Sequence, residues 1–453
     1  MMFVVSKFGG SSLASAKCIQ RVGEILRLDD RRRCVVLSAP GKAPGADIKV
    51  TDLLIALVEK SLATEDYTAE LDGVKSRYRD IYSTLGVASS TIEEVLDILD
   101  ERVGSDRADA ARYRDMVVAA GEELNARLFT EYLHVQNQNA VFMSPSEAGL
   151  VVSGAFGDAR PIEETPMKLA SLKKVCAEQT VIFPGFFGVT TEGEIATFSR
   201  GGSDLTGALL AESIEAAEYE NWTDVDGIFS ASPKLVDNPL QIPALTYREM
   251  RELSYIGFEV LHQEAVWPAM RKKIPIRLRS TWNLENEGTL IVSDRLPSER
   301  DVIGIASGGE FASITLQKYL MNREHGFGRK LLAIIEELGL SYEHCPSSVD
   351  SISVLMDQNQ LEPGMLHNVV RACEENLEPD EIITDFGMAL IAVVGEGIHQ
   401  KIDVLATAAS ALADAGIGIR IVNQGSSRIN MIFGVDGSEE KRAVNALYKR
   451  LFE

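Results

Sequence analysis

Long apolar runs are missing from this 453-residue sequence; none approaches the roughly 18 residues of a membrane-spanning helix. Positive charge is also in short supply. Forty-five Lys and Arg against 67 Asp and Glu leave a net charge of −22 and a pI near 4.8, which argues against a nucleic-acid or anionic-membrane partner. Any anionic substrate must therefore meet positive charge concentrated locally. The five cysteines (Cys18, Cys34, Cys176, Cys345, Cys373) are scattered, with no Cys-x-x-Cys and no Cys/His ligand spacing, so neither a disulfide framework nor a zinc site is expected. A reduced cytoplasmic compartment fits this usage. No secretory signal is expected, because the N-terminus runs almost at once into a strand pattern. Two phosphate-binding signatures are missing as well: there is no Gly-x-x-x-x-Gly-Lys-Ser/Thr and no Gly-x-Gly-x-x-Gly. What remains is a composition of 45% hydrophobic and 25% charged residues, long enough for two or three domains.

The chain is organised around Val4-Val5-Ser6-Lys7-Phe8-Gly9-Gly10-Ser11-Ser12, which reads as strand, tight turn and helix. A glycine pair there lets backbone N–H groups approach a ligand, and the helix N-terminus that follows favours negative charge. With Lys7 this forms an anion cradle, although an ordinary β-to-α turn with a surface lysine would show the same residues. Cys34 to Ser38 reads as a second buried strand. The turn-rich Ala39-Pro40-Gly41-Lys42-Ala43-Pro44-Gly45 is expected to be a mobile loop at its carboxyl end, where α/β proteins place their ligands.

From about Asp66 to His134 the apolar residues recur at helical spacing, predicting a helical lobe inserted between strands. Inside it, Gly121-Glu122-Glu123-Leu124 reads on its own as a solvated helix face. Strand patterns return at Ala140 to Met143 and Val181 to Phe183, and a hairpin joins Phe186 to Val189 with Ile195 to Phe198. Then Ser199-Arg200-Gly201-Gly202-Ser203-Asp204 repeats the order strand, double glycine, hydroxyl, helix, and makes a second anion cradle. Asn221-Trp222-Thr223-Asp224-Val225-Asp226-Gly227 offers hydroxyl and carboxylates to a nucleotide or metal, or is simply a turn. Gly288 to Val292 reads as the last strand of the sheet, and Ser293 to Arg300, with Leu296-Pro297-Ser298, as a linker.

Beyond the linker the pattern repeats internally. The first copy runs Ile314 to Leu316, helix Leu331 to Leu338, then Gly339 to Tyr342 and Ser351 to Met356. The second runs Leu390 to Val394, helix Val404 to Ala413, Gly416 to Ile419 and Met431 to Phe433. Helices at Pro363 to Asn376 and Glu439 to Phe452 close the two ferredoxin-like units.

Two glycine turns could hold the ends of a phosphoryl transfer in line, Lys7 neutralising the transferring group and Arg200 forming a fork on a carboxylate. A carboxylate acceptor needs no general base, being ionised at neutral pH. The obstacle is repulsion: at an effective dielectric near 20, two unit charges about 4 Å apart cost roughly 4 kcal/mol. Lys7, Mg²⁺ and the glycine-turn amides are the groups that could offset it.

In their order, Lys7-Phe8-Gly9-Gly10-Ser11-Ser12, Val36-Leu37-Ser38-Ala39, Ser199 to Asp204 and Trp222 to Gly227 resemble the motifs of aspartate kinase, in its lysine-sensitive monofunctional form within the amino-acid kinase superfamily. The resemblance covers essentially the whole chain. It implies an α/β amino-acid kinase fold, a central mostly parallel sheet sandwiched by helices, over residues 1–298. A regulatory region over 299–453 then holds two ferredoxin-like βαββαβ ACT domains, about 311–380 and about 386–453 with strand 301–307. Lys7, Gly10 and Asp204 are implied as catalytic, Asp204 holding the lysine in place. Thr51, Glu122, Arg200, Ser203 and Ser38 are implied at aspartate, Arg200 on a carboxylate and Glu122 on the amino group. Lys7, Gly9, Gly10, Ser11, Thr223, Asp224, Phe229 and Lys234 are implied at ATP, used with Mg²⁺; no residue is implied as a dedicated metal ligand. Met321, Glu324, Gly326, Phe327, Glu343, Ser347 and Ser348 are implied in an amino-acid effector pocket, with L-lysine as the effector. A homodimer through the ACT domains is implied, with a dimer of dimers left open.

The chain departs from the family pattern at Glu259, where lysine is common, at Phe229 for tyrosine and at Lys234 for arginine. His262 alone reads as a packed or capping histidine. The expected activity is transfer of the ATP γ-phosphoryl to aspartate, the first step toward lysine, threonine and methionine. The alternatives are a non-catalytic amino-acid sensor that keeps the kinase fold, and another small-molecule kinase of the superfamily.

Overall fold

The computed structural model describes residues 2–42, 48–199, 201–257, 261, 264–295, 300–425 and 427–453. The chain divides into two compact units. One comprises Met1–Ile228, Gln241–Arg248 and Glu259–Arg295; the other comprises Phe229–Leu240, Glu249–Phe258 and Leu296–Glu453. The linker read at Leu296-Pro297-Ser298 lies outside the described residues.

The first unit is built on an eight-stranded sheet. Its strands are β1 (Val4–Phe8), β2 (Arg32–Leu37), β3 (Ala140–Phe142), β4 (Thr180–Pro184), β7 (Glu218–Thr223), β8 (Ala244–Thr246), β9 (Ile276–Ser280) and β10 (Thr289–Val292). A two-stranded hairpin of β5 (Phe187–Val189) and β6 (Ile195–Thr197) stands apart from it. Spatial order is β3-β4-β2-β1-β7-β9-β10-β8, and every neighbouring pair except β9 and β10 is parallel. Parallel central strands are covered on both faces, which is why all five residues of β1 are buried even though Ser6 and Lys7 are polar.

The helical lobe between β2 and β3 consists of Val50–Leu62, Thr68–Thr84, Ser89–Val103, Ala110–Val118 and Ala120–Val135. Its apolar stripes (Val74, Tyr78, Ile81 and Tyr82; Ile92, Val95, Leu96 and Leu99) merge with Phe8, Val35, Leu37 and Trp222 of the sheet into one core. Among the described residues no helix is long and apolar enough to cross a membrane.

The second unit carries a five-stranded antiparallel sheet of β11 (Gly304–Gln317), β12 (Ser351–Asp357), β13 (Glu381–Val394), β14 (Ile421–Asn423) and β15 (Asn430–Asp436), in the order β12-β11-β13-β15-β14. The 14-residue strands β11 and β13 are long enough to serve two cores. Phe311 to Gln317 of β11 pair with β12, whereas Gly304 to Gly308 pair with Leu390 to Val394. One core gathers Ile314, Leu316, Phe327, Leu331 and Val354; the other gathers Ile305, Ile391, Phe433, Leu447 and Tyr448.

Two expected strands are displaced. Gly339 to Tyr342 form no strand; single bridges at His344 and Ser347 meet β12 instead, because Gly339, at φ +70°, turns the chain after helix Phe327–Glu337. In the second repeat the strand begins at Ile421, past the turn at Gly416 (φ +71°).

Two stretches that precede the linker in sequence pack within this second unit. Ser230 accepts from the Ile305 amide at 2.7 Å, the Tyr448 hydroxyl accepts from the Leu240 amide at 2.9 Å, and Asn430 donates to Glu252 at 2.5 Å. Linear patterning gives no hint of this interleaving, since it depends on contacts some 200 residues apart in the chain.

Candidate active site

The carboxyl ends of β1, β2 and β7 open on a cavity of about 730 Å³ in the first unit. Lys7 reaches it from β1, and its cross-strand neighbour is Asn221 of β7. The Lys7 ammonium stands 2.5 Å from Asp204 Oδ1, and the Asn221 amide donates to the same oxygen at 2.8 Å. Asp204 lies in the first turn of helix Gly202–Ile214, whose N-cap Gly201 adopts φ +75°, open to glycine at little cost. Thus the first glycine cradle supplies a cation, the second a carboxylate, and the two are joined by an ion pair.

A charge network behind the pocket fixes these strand ends. Glu220 accepts from Arg32 at 2.8 and 2.9 Å, from Ser6 at 2.9 Å and from the Trp222 indole at 2.9 Å. The guanidiniums of Arg32 and Arg279 lie over the Trp222 ring, which stacks on Phe8 at 5.9 Å. A buried carboxylate with this many donors costs far less than an isolated one and restrains β1 against β7.

The turns themselves are tight. Gly9 donates its amide to Trp222 at 3.1 Å, and Gly41 to Gly10 at 2.8 Å; a Cβ on Gly41 would fall 2.6 Å from the Gly10 carbonyl carbon. After Gly9 the chain enters a 3₁₀ turn, Gly10–Leu13, and the α-helix begins only at Ala16, capped by Ser15. This corrects the expectation of an α-helix starting at the glycine pair: the Ser15 side chain accepts the Cys18 amide and sets the start later. Opposite, Phe186 is held at φ +77°, with its amide on the Thr206 hydroxyl, and lines the cavity. Such a conformation is costly for an aromatic residue, and this chain tolerates it beside its candidate site.

Glu122 enters from helix Ala120–Val135. Gly121 lets that helix approach β2 closely: a Cβ there would lie 3.0 Å from Ala39 Cβ. Glu122 Oε1 accepts the Ala39 amide at 3.1 Å, whereas Oε2 is buried with no hydrogen-bond partner among the described residues. Burial pushes its carboxyl up to about 8, against the Ala39 hydrogen bond that lowers it. The residues' own reading as a solvated face is therefore corrected: Glu122 is 5% exposed and faces the cavity.

Of the expected residues, Lys7, Gly10, Ser11, Ser38, Thr51, Glu122, Ser203, Asp204 and Asp224 line this one cavity. Gly9 and Thr223 occupy the adjoining strand ends and are not in the lining. Phe229 and Lys234 sit in the Phe229–Leu240 stretch of the second unit. Arg200, Glu259 and His262 lie outside the described residues, though Gly201 to Asp204 line the cavity directly after Arg200. Lys42, Lys49, Asp52 and Phe186 also line it, with the Ala39-Pro40-Gly41 turn, and were not singled out as site residues from sequence; the lysines flanking the turn-rich loop were the available signal.

In the second unit, Glu324 is held by Lys318 at 2.9 Å and Lys330 at 3.0 Å, and these hydrogen bonds keep its carboxyl below the usual range. Gly326 (φ +79°) caps helix Phe327–Glu337, Met321 and Phe327 are buried, and the Lys318 ammonium lies over the Phe327 ring. Glu343 bonds by its amide to Leu355, Ser347 bridges Ile352, and Ser348 bonds by its amide to Ser351, so all three lie on the segment facing β12.

Residues 2–280 match the model of the amino acid kinase family. Over 448 residues, 99% of this chain and 98% of its relative, the sequence is 45% identical to aspartokinase 3 of Bacillus subtilis. The chain belongs to the aspartokinases. It is accordingly a kinase, and residues 391–451 match an ACT domain, the module by which the sequence expected this family to be regulated. The crystal structure of Clostridium acetobutylicum aspartate kinase agrees with a TM-score of 0.88 at 34% identity, covering 99% of this chain and 100% of that one. E. coli aspartokinase III, solved with aspartate and ADP and also with lysine and aspartate, gives 0.77 and 0.78 at 27% identity, each over 100% of both chains. The expected kinase fold, a mostly parallel sheet followed by an ACT domain, is the one observed.

Proposed function

We propose that the Lys7–Asp204 cavity transfers the γ-phosphoryl group of ATP to the β-carboxylate of L-aspartate, giving 4-phospho-L-aspartate and ADP. The observation that carries this reading is one cavity lined by a cation, two glycine turns and a buried carboxylate with an unpartnered oxygen. The unpartnered Glu122 oxygen receives the substrate ammonium, which replaces its lost hydration and ionises it. Arg200, Thr51, Ser203 and Ser38 take the carboxylates. The Gly9-Gly10-Ser11 turn holds the terminal phosphates by its amides, with Thr223 and Asp224 toward the nucleotide.

A β-carboxylate oxygen attacks the γ-phosphorus as the bond to the β-phosphate bridging oxygen breaks, and no general base is required. Lys7 neutralises charge on the transferring group, and Asp204 with Asn221 keeps its ammonium aimed. Among the described residues no group of three or more His, Cys, Asp or Glu could hold a metal ion. A phosphate-borne Mg²⁺ needs only one or two protein carboxylates, and Asp224, exposed in the lining, suits it. Bound there, Mg²⁺ would neutralise phosphate charge.

The second unit is read as an amino-acid effector module. E. coli aspartokinase III has been solved with lysine, which favours a lysine-like effector at Met321, Glu324, Gly326, Phe327, Glu343, Ser347 and Ser348. Its ammonium would compete with Lys318 and Lys330 for Glu324. A cytoplasmic homodimer completes this reading. Trapping the acyl phosphate with hydroxylamine tests the activity: hydroxamate forms with ATP and aspartate, and glutamate in its place gives little. Equal product from glutamate sinks the substrate assignment.

A further inference from the structure

The cation closest to the chemistry is already spent inside the protein. Lys7 is paired with Asp204, so this couple presents little net charge to an incoming polyphosphate. Asp52 and Asp224 add exposed carboxylates, and without a bound cation these repel an anion. Lys42 and Lys49 stand apart from this balance. Both line the cavity, both are exposed, and neither forms an ion pair with a described residue.

The backbone explains how two residues seven apart reach one cavity. The Val50 amide donates to the Pro40 carbonyl at 3.1 Å, which ties together the two feet of the excursion between them. Lys42 follows one foot and Lys49 precedes the other. The first foot is fixed further, because Arg77 donates to the Gly41 carbonyl at 2.6 Å and the Gly41 amide to Gly10 at 2.8 Å. The second foot starts helix Val50–Leu62, with Lys49 as N-cap residue and its carbonyl accepting the Leu53 amide. Both ammonium stems therefore leave a pinned backbone, and that reduces the entropy lost in gripping an anion.

We infer that Lys42 and Lys49 form a second cationic clamp that binds the terminal phosphates of the nucleotide. The inference rests on reading this cavity as the nucleotide site. In a chain of net charge −22 such a clamp also offsets the long-range repulsion of a polyphosphate. The clamp acts mainly on nucleotide capture, whereas Lys7 acts on the transferring group.

The test uses the full chain carrying Lys42→Ala, Lys49→Ala and both together, with Lys42→Arg/Lys49→Arg as the charge-conserving control. Binding of MgADP is measured by calorimetry, and the KM values for MgATP and aspartate at several ionic strengths. The double alanine variant is expected to weaken MgADP and raise the MgATP KM about 10-fold or more, with less effect on aspartate, and to flatten the salt dependence. The arginine pair restores most of the affinity. Unchanged nucleotide affinity with unchanged salt dependence, in a variant whose melting curve matches the parent, overturns the inference. Loss confined to aspartate overturns it too. Failure of the parent itself to bind MgADP overturns the site reading along with the clamp, and so separates the two failures.

Discussion

Glu122 of the first unit and Glu324 of the second were both expected to meet an ammonium group, and the two are built in opposite ways. Glu324 is partly exposed and already clasped by Lys318 and Lys330, which hold its carboxyl ionised. Glu122 is buried, accepts one amide, and leaves its second oxygen unpartnered among the described residues, so burial favours its neutral form. A satisfied carboxylate stabilises the protein whether or not ligand is present. An unsatisfied one destabilises the empty site and gains most when a cation arrives. On the proposed reading, this contrast separates a substrate-binding carboxylate from a structural or competitive one.

The comparison can be pressed hardest at Lys7, which serves a third carboxylate, Asp204. In Lys7→Ala the ammonium is gone and Asp204 faces the phosphates uncompensated, so hydroxamate yield per unit time should fall by about 10²–10³-fold. Retained activity would mean that the pair is structural, like the one at Glu324.

Glu122→Gln comes next. Losing a charged partner for the substrate ammonium should raise the aspartate KM by about 10–100-fold with a smaller change in the MgATP KM. The same substitution should stabilise the empty protein at alkaline pH. Burial pushes the Glu122 carboxyl up to about 8 in the folded state against 4.5 ordinarily, so the folded state holds the extra proton between those values. Stability is full below about pH 4.5 and is lost as pH rises toward 8, by of order a few kcal/mol. Melting curves at pH 5 and pH 8.5 should show Glu122→Gln gaining on the parent only at the higher pH.

At Asn221 the expected effect is smaller. Asn221→Ala removes one of two donors on Asp204 Oδ1 and should lower kcat several-fold, about 1 kcal/mol, with little change in either KM. At Glu324 it is smallest. The pairing there is strongest above the ordinary carboxylate range and fades as pH falls through the lowered pKa, so Glu324→Gln should shift the melting temperature by no more than about 3 °C at neutral pH. Its larger signature is an altered response to added lysine in the steady-state rate.

Sequence reasoning reached the parts of the site that local chemistry dictates. Lys7, Gly10, Ser203 and Asp204 are legible because the order strand, double glycine, hydroxyl, helix occurs twice, once with a lysine and once with an arginine, and they do line one cavity. Glu122 was legible only through the family resemblance. Its neighbours suggest a solvated face, and what buries it is the approach of Gly121 to Ala39, 82 residues away in the chain. Lys42 and Lys49 flank a turn-rich loop that the sequence places at the ligand end, but that both reach one cavity depends on the ends of the loop being tied by the Pro40–Val50 hydrogen bond. In the second unit the helices followed the apolar pattern, whereas the separate strands read at 301–307 and Ile314 to Leu316 are one strand, Gly304–Gln317, and the strand read at Leu390 to Val394 begins at Glu381; the stretch after Gly339 obeyed its turn and Phe229–Leu240 joined a core that no local pattern announces. The non-catalytic sensor weighed from sequence gives way to the kinase that the family match supports.

The most direct test of the contrast is the proton count on binding aspartate, obtained by calorimetry at pH 7 in buffers of different ionisation enthalpy. With burial pushing the Glu122 carboxyl up to about 8, most of the empty sites carry its proton at pH 7, and binding the ammonium should expel it. The parent is therefore predicted to release a large fraction of one proton per aspartate, and Glu122→Gln none. Tight binding by the parent with no proton released would contradict the claim that this carboxylate is held neutral for its substrate.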